Sequence, residues 1–518
     1  QFGLYAQDAF GITDNLKITY GLRADMPVFF NKPVANDYFN NSDIAISNGV
    51  ATNKVPKSVI LLSPRIGFNW DVTGKGTTQV RGGVGIFTGR IPLVWISNQY
   101  SKTGIASLSY SANNAAAVSA AGITFDPKHP YQPTAAPGAT PVSTEIDVTD
   151  PNFKFPRTFR ANLAIDQKLP FGFVGTLEGM FTKTLQDILY KDLNLAPSTG
   201  TITLENITRP FYGARITPNF TNVLELTNTT KGYGYNVAVT LQRSFSNGWY
   251  ARASYSLGHS FGVNDGTSSV ALSNYRYAYN INGLNNLDLT RNNYDMGSRI
   301  LAFVSKKFTY GKFSTNIGLV YTGQSGQPLS YVFFGDVNGD DGTTRTSANT
   351  SNSADLLYVP TSVASFSTLV VGSGANAVTY TPQQQYDLFQ QYLNSNKYLK
   401  DHEGENTARN GTRLPWENHF DLKVMEEFNI AKTHTISLSV DIFNVANLLN
   451  SNWGHAFYAS NQELQPLNLA PSKNWIDPNT PTFTFNPQYG LNSYTHRPWS
   501  YNNFLSRYNM QLGLRYSF

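Results

Sequence analysis

The last ten residues, NMQLGLRYSF (509–518), alternate strictly between polar and apolar side chains. Every second residue from Met510 to Phe518 is apolar, and the residues between them are polar or glycine. The stretches LKITYGLR (16–23) and RIGFNWDV (65–72) repeat the pattern. Because successive side chains of a β-strand point to opposite faces, this period of two predicts strands with one apolar and one polar face.

The same alternation runs through most of the chain and predicts an all-β protein in which helical periodicity is almost absent. Thirteen strands are expected, and we place them at 1–12, 16–30, 59–73, 77–91, 157–168, 173–191, 231–245, 249–261, 292–309, 313–334, 415–429, 434–449 and 501–518.

The connections between these strands alternate between short and long. The short turns fall at Thr13–Asn15, Thr73–Thr77, Leu169–Gly172, Ser246–Gly248, Tyr310–Lys312 and Ile430–Thr433. The long polar stretches fall at 31–58, 92–156, 193–230, 262–291, 335–414 and 450–500.

Alternating short and long connections place all the long loops at one end of the sheet. Bacterial outer-membrane barrels have this arrangement, with short periplasmic turns and long extracellular loops. Strands can cross lipid only when they form a closed barrel, because every backbone polar group must be paired. We therefore predict a transmembrane antiparallel β-barrel whose apolar face meets lipid and whose polar face lines the lumen.

The composition agrees with a barrel better than with a soluble enzyme. Charged residues make up 14% of the 518 residues, against about 25% in typical globular proteins. Aromatic residues also reach 14%, and the mean hydropathy is −0.30. The absence of cysteine excludes disulfide scaffolds and cysteine nucleophiles. The net charge of +5 is spread without basic clusters, so nucleic-acid binding is not expected.

Strand direction predicts that residues 1–518 are the C-terminal portion of a longer barrel. The last strand follows a long loop and so runs toward the periplasm, and counting back makes the first strand run the same way. Single-chain bacterial barrels have an even number of strands that start and end in the periplasm. An odd number of upstream strands is therefore expected outside this chain.

Several segments resemble TonB-dependent outer-membrane receptors, and most of these resemble the Oar-like (SusC-related) subgroup of Bacteroidota. LYAQDAFGITDNLKITYGLRAD (4–25) resembles a mid-barrel hairpin of these receptors, and DIFNVANLLN (441–450) resembles their penultimate-strand region. The Oar-like resemblance rests on 63–92, 150–172, 321–328, 355–360 and 409–424.

This resemblance implies about twenty-two strands in the whole barrel, with this chain supplying the C-terminal ones. It also implies an N-terminal plug and a TonB box outside the chain, and energy coupling through the TonB–ExbB–ExbD complex. The aromatic Phe518 resembles the terminal signal that the barrel-assembly machinery recognises. A surface lipoprotein is a further possible partner, and outer-membrane lipid is the expected environment.

Charged side chains on the polar face should point into the lumen, either as a lattice of cross-strand pairs or as contacts for the plug. They are Arg23, Asp25, Arg65, Asp71, Arg81, Arg160, Asp166, Glu178, Arg252, Asp421, Lys423, Asp441 and Arg515. The glycine-rich run Gly83–Gly89 is close to a dinucleotide-binding fingerprint but lies inside an alternating strand with no helix after it. Its glycines are expected to let lumen contents approach the wall.

One loop carries a possible calcium motif, and no catalytic constellation is found. Asp336, Asn338 and Asp340 place oxygen ligands at alternate positions of the segment 336–342. The segment departs from the EF-hand at Asp341 and Ser347, where glycine and glutamate are expected. The seven histidines show no metal-protease spacing, so neither an enzyme nor another cofactor is predicted.

The predicted function is energy-coupled uptake of a glycan, peptide or metal chelate through the outer membrane. The largest loops, 92–156 and 335–414, are expected to capture the ligand with exposed aromatics such as Tyr131, Phe389 and Tyr392. A passive porin-like channel and a surface adhesin remain alternatives, as does a soluble carbohydrate-binding β protein.

Overall fold

A computed structural model describes residues 1–105, 115–120, 126–129, 144–340, 355–431, 433–472, 475–485 and 499–518. Thirteen strands pair one after another in a single antiparallel sheet, which confirms the number predicted from the sequence. We call this sheet the wall. Its strands are β1 (Phe2–Thr13), β2 (Leu16–Met26), β3 (Leu61–Asp71), β4 (Thr78–Thr88), β5 (Arg157–Lys168), β6 (Val174–Asp192), β7 (Tyr233–Ser244), β8 (Trp249–Gly262), β9 (Gly297–Tyr310), β10 (Phe313–Gln324), β11 (Glu417–Asn429), β12 (Thr435–Phe443) and β13 (Asn509–Ser517).

The strand register keeps apolar residues together on one face of the wall. Val440 of β12 lies opposite Val424 of β11 and Leu512 of β13, and Ile442 lies opposite Leu422 and Met510. On the other face, Asp441 lies opposite Lys423 and Gln511. Many apolar-face side chains are exposed, including Val239 and Leu438 at 50% and 47%. A large exposed apolar surface of this kind needs an apolar environment.

The connections of the wall alternate in length as predicted. The hairpins β1–β2, β3–β4, β5–β6, β7–β8, β9–β10 and β11–β12 have short turns. The remaining connections are long, and all of them leave the wall at the opposite end.

Several strands are shorter than the alternation suggested. The predicted strand 16–30 ends at Met26, 77–91 ends at Thr88, and 501–518 begins only at Asn509. The predicted strand 313–334 ends at Gln324, and Pro328–Phe334 instead pairs in parallel with Glu463–Ser472 above the wall. The predicted strand 434–449 ends at Phe443, and a short helix follows at Val445–Leu449. Asn444, between strand and helix, has a φ of 54°, a left-handed conformation that cannot continue a strand.

The long loops fold together into a layer with its own apolar cores. The largest core brings together Tyr331, Phe333, Phe389 and Phe483, all nearly inaccessible to solvent. The helices of the long loops are Asp37–Asn40, Asp43–Asn48, Val94–Ser101, Ala115–Ala120, Ala271–Arg276, Pro382–Asn394, Lys397–Lys400 and Val445–Leu449. The additional strands are Thr144–Thr149, Gly200–Leu204, Ile207–Phe211, Phe220–Thr229, Thr290–Arg291, Pro328–Phe334, Leu369–Val371, Val378–Tyr380, Thr412–Arg413, Phe457–Tyr458, Glu463–Ser472, Trp475–Ile476, Thr482–Phe485 and Ser500–Tyr501. Single 3-10 turns occur at Pro170–Gly172, Val363–Ser365, Gly374–Asn376 and Ser460–Gln462.

The helix Pro382–Asn394 corrects the prediction that Phe389 and Tyr392 are exposed. Thr381 caps the helix, and the Gln384 side chain completes a reciprocal capping box. Phe389 and Tyr392 lie three residues apart on one helix face and are 0% and 1% exposed. In the described ranges, no helix is long and apolar enough to span a bilayer.

Candidate functional site

Most charged residues of the wall lie on the polar face, as the alternation predicted, and many of them form ion pairs there. Asp8, Lys306 and Glu426 are exceptions, because they lie opposite Tyr20, Trp249 and Leu438 of the apolar face. Arg81 on β4 contacts Asp166 on β5 at 3.0 Å and Glu178 on β6 at 3.3 Å. Lys423 on β11 contacts Asp441 on β12 at 2.7 Å. This arrangement is the cross-strand lattice expected for structural charges.

Two neighbouring cavities lie where the long loops meet the wall, and together we call them the mouth site. Their volumes are about 430 and about 470 Å³. The two cavities adjoin, because both are lined by Thr267, Asn293, Gln327, Tyr458 and Gln462. A pocket of several hundred Å³ is large enough for a small organic ligand.

Asp295 and Arg413, two charged groups of the second cavity, are paired with each other, whereas Arg299, which also lines this cavity, is exposed. The carboxylate of Asp295 is inaccessible to solvent and forms an ion pair with Arg413. It also accepts hydrogen bonds from the backbone N–H of Ser260 at 2.6 Å and contacts His259 Nδ1 at 3.1 Å. Burial lowers the pKa of Arg413, and the nearby Asp295 opposes that shift. This network holds Asp295 and Arg413, which line the cavity, in fixed positions.

Arg409 plays the same structural part in the first cavity. Its guanidinium donates to the carbonyls of Val263 and Gly262, both at 2.8 Å, and lies 3.9 Å from Asp265. Burial lowers the pKa of Arg409, and Asp265 opposes the shift. Because its donors are directed at the loop backbone, Arg409 holds the loop around 262–265 in place beside the cavity.

The accessible lining of the mouth site combines aromatic rings with amides. Tyr294 and Tyr458 are 69% and 47% exposed, and Tyr277 is 40% exposed. Asn293 and Gln462 lie among them. Tyrosine faces stack on apolar ring or peptide surfaces, while hydroxyls and amides supply hydrogen bonds. The site therefore suits a polar ligand with flat or ring-shaped surfaces.

The aromatics of the mouth site differ from those predicted for ligand capture. Tyr131 lies outside the described residues, and Phe389 and Tyr392 belong to the loop core. The site is built chiefly by the loops after β8 and β12, with Arg409 and Arg413 from the end of 335–414. The tyrosines at 275, 277 and 279 were a usable sequence pattern, but Tyr275 is buried while Tyr277 is exposed. Alternation alone could not separate these two positions.

The proposed calcium residues lie together in a buried turn. Asp336, Asn338 and Asp340 are 7%, 0% and 4% exposed. Asp336 accepts the backbone N–H of Gly339 at 2.6 Å, and Asp340 accepts that of Leu284 at 2.7 Å. The described parts of the chain hold no group of three or more His, Cys, Asp or Glu residues able to bind a metal. Asp341 and Ser347 lie outside those parts, and calcium binding at 336–342 stays a prediction.

A sheet with an exposed apolar face, a charged inner face and all long loops at one end is the wall of a membrane β-barrel. The chain belongs to the outer membrane beta barrel domain family, which matches residues 1–462. It is therefore an outer-membrane protein, and the predicted fold class and localisation are confirmed. No significant match was found among curated protein sequences.

Several solved structures are similar to the chain. The outer membrane transporter YddB from Escherichia coli is 11% identical with a TM-score of 0.44, and the match covers 100% of this chain and 44% of YddB. The copper transporter OprC is 8% identical with a TM-score of 0.40, covering 100% and 48%. The siderophore receptor PiuA from Acinetobacter baumannii is 9% identical with a TM-score of 0.36, covering 93% and 41%. The chain thus spans less than half the length of these proteins.

Proposed function

We propose that this chain is part of a TonB-dependent receptor that imports a ligand through the outer membrane. The observation that carries the proposal is the mouth site, a structured pocket at the long-loop end of an outer-membrane barrel wall. A passive channel does not need an aromatic pocket at its entrance, whereas a receptor needs one to capture its ligand.

The lining favours a glycan or peptide over a metal chelate. Asp295 and Arg413 neutralise each other, and Arg409 is occupied by backbone carbonyls. The accessible groups that remain are largely phenol rings, hydroxyls and amides, together with the exposed guanidinium of Arg299. Such groups bind sugar rings and peptide planes through stacking and hydrogen bonds.

The remaining assembly follows from the receptor proposal and from the resemblance to the Oar-like subgroup. A plug outside this chain would gate the lumen and would be pulled by the TonB–ExbB–ExbD complex. The chain would be the C-terminal portion of the barrel. Phe518, whose ring stacks at 5.7 Å from that of Tyr516, would present the terminal strand to the barrel-assembly machinery, and a surface lipoprotein could cover the loops.

Ligand binding at the mouth site can be tested with receptor purified from outer membranes. Native mass spectrometry would screen neutral and acidic oligosaccharides and oligopeptides as probes. Tyr294→Ala and Tyr458→Ala should each weaken binding of a retained probe about fivefold, the effect of losing one stacking contact. Tyr38→Ala is the control, because Tyr38 is 63% exposed and lies outside both cavities. An equal loss of probe affinity in all three variants would show that the probe binds outside the mouth site.

Energy coupling needs a separate measurement in intact cells. A protonophore should abolish accumulation of the bound probe while leaving surface binding unchanged. Accumulation that continues without the proton gradient would indicate the passive channel, and binding without any accumulation would indicate an adhesin.

A further inference from the structure

Two arginines of the wall face each other across a position that has no side chain. Arg65 on β3 and Arg160 on β5 are both register partners of Gly85 on β4. Neighbouring strands lie about 4.8 Å apart, so the two arginine backbones are about 10 Å apart. All three residues belong to the polar face that lines the lumen, and Arg160 is exposed.

The ring of Phe87 lies close to the guanidinium groups of both arginines. Phe87 follows Gly85 by two residues on β4 and so shares its face. The guanidinium carbons of Arg65 and Arg160 lie 5.7 and 5.9 Å from the centre of the Phe87 ring. Both distances are within the cation–π range. The ring therefore brings two guanidinium groups to one patch of the lumen surface. Phe87 itself is 38% exposed.

The charge balance of this patch differs from that of the paired wall charges. Arg23, Arg81 and Lys423 each contact a carboxylate within 3.0 Å. Neither Arg65 nor Arg160 contacts a carboxylate among the residues that the structure describes. Two cations that share one ring repel each other, and an anion between them would replace that repulsion with attraction.

The wall beside the arginines has two paired positions without side chains. Gly83, two residues before Gly85, lies opposite Gly67 on β3, and both face the lumen. Positions without side chains let another backbone approach a sheet closely. A small anion would need only the two guanidiniums, whereas a polypeptide also needs this free surface.

We propose that Arg65, Phe87 and Arg160 form a docking site for an acidic polypeptide segment inside the lumen. Each guanidinium presents donors that match a carboxylate in a bidentate geometry, and the glycine surface accommodates the segment's backbone. The proposal rests on the proposed function in one respect, that a polypeptide gate occupies the lumen. It explains the glycine-rich run 83–89 by close approach of protein and not of a nucleotide.

Photo-crosslinking in outer membranes tests this site directly. The receptor is produced at its natural full length with the photoreactive amino acid p-benzoylphenylalanine at position 87, and crosslinked peptides are identified by mass spectrometry. We expect a peptide containing Asp or Glu. Its yield should fall about tenfold in the variant Arg65→Gln/Arg160→Gln, the loss expected for a charge-assisted contact, and should fall similarly in 0.5 M NaCl, used to screen charges.

The matched control is Arg252→Gln. Arg252 belongs to the same polar face on β8, is exposed, and lies opposite Gln242 and Phe303. Its substitution should leave the crosslink unchanged, and heat-modifiable mobility should verify that all variants fold. A crosslinked peptide without carboxylates, no crosslinked peptide, or a yield unaffected by Arg65→Gln/Arg160→Gln in folded protein would overturn the proposal. Crosslinking requires no transport, so the docking proposal can be tested even if the receptor does not take up a ligand.

Discussion

At the scale of single residues, the alternation identified the lipid face in advance, and Val440 tests it most directly. Val440 lies between Val424 and Leu512 across the neighbouring strands. Val440→Arg should cost about 2–4 kcal/mol of folding free energy in a bilayer, the cost of a lipid-facing charge near the midplane. Ser439→Arg should cost much less because residue 439 faces the lumen. Equal folding of the two variants into vesicles would show that the register is wrong.

Glu225 in the loop layer predicts a pH-dependent stability that the sequence pattern did not reveal. Burial, reinforced by Asp150 and opposed by Lys191, raises its pKa from 4.5 to about 7. Between pH 4.5 and about 7, the Glu225 carboxyl therefore keeps a proton in the folded state that it has released in the unfolded chain. This contribution to stability is present below about pH 4.5 and is lost as the pH rises through 7.

Hydrogen exchange at the amides of Leu224 and Leu226 would measure the effect. After correction for intrinsic exchange, protection should be lower at pH 7.5 than at pH 5 in the natural protein. Glu225→Gln should remove this difference, because glutamine does not titrate. Asp387→Asn, on the exposed side of the loop helix, should leave it in place. A difference that persists in Glu225→Gln would assign it to another group.

At the scale of elements, the sequence predicted the wall better than the loops. A wall strand such as β12 alternates over eight of its nine residues, from Thr435 to Ile442, because one face meets lipid and the other meets the lumen. The helix Pro382–Asn394 lies above the membrane and packs only part of its surface, so its period was obscured by the glutamines around Phe389. The turn at Asn444 was missed because only the backbone conformation shows that the strand ends there.

The loop helix provides the prediction at this scale. Phe389 is fully buried against Phe366 and Phe485, with ring centres 5.6 and 5.8 Å away. Phe389→Ala should destabilise the loop layer by about 3–5 kcal/mol, the usual cost of a large cavity. Limited proteolysis of the folded receptor should show faster cleavage within 355–414. Gln391→Ala, at an exposed position of the same helix, should be cleaved at the natural rate, and equal rates in both variants would contradict the packing.

At the scale of the whole molecule, the sequence predicted the topology but not the mouth site. Short and long connections alternate along the chain, so their order is visible in the sequence. The mouth site combines Asn293, Tyr458 and Arg409, which are more than 100 residues apart at their extremes. Nothing in local alternation brings these residues together, and only the folded loop layer defines which tyrosines remain exposed.

The sidedness of the topology can be tested on intact cells. The loops after β8 and β12 should be accessible to external protease, because they lie at the long-loop end. The turn at Ser246–Gly248 should be protected until the outer membrane is permeabilised. Cleavage at that turn in intact cells would invert the orientation and remove the mouth site from the cell surface.

The last prediction concerns the two edges of the wall. β1 pairs only with β2, and β13 only with β12, within the described structure, so both edges present unpaired backbone groups. Lipid cannot satisfy such groups, and each costs several kcal/mol when it stays unpaired. Residues 1–518 expressed alone should therefore aggregate or remain outside the bilayer. The same residues within a longer chain that supplies the expected upstream strands should give a heat-modifiable monomer. If residues 1–518 alone give such a monomer, the two edges must pair with each other, and the proposal that this chain is the C-terminal portion of a larger barrel is wrong.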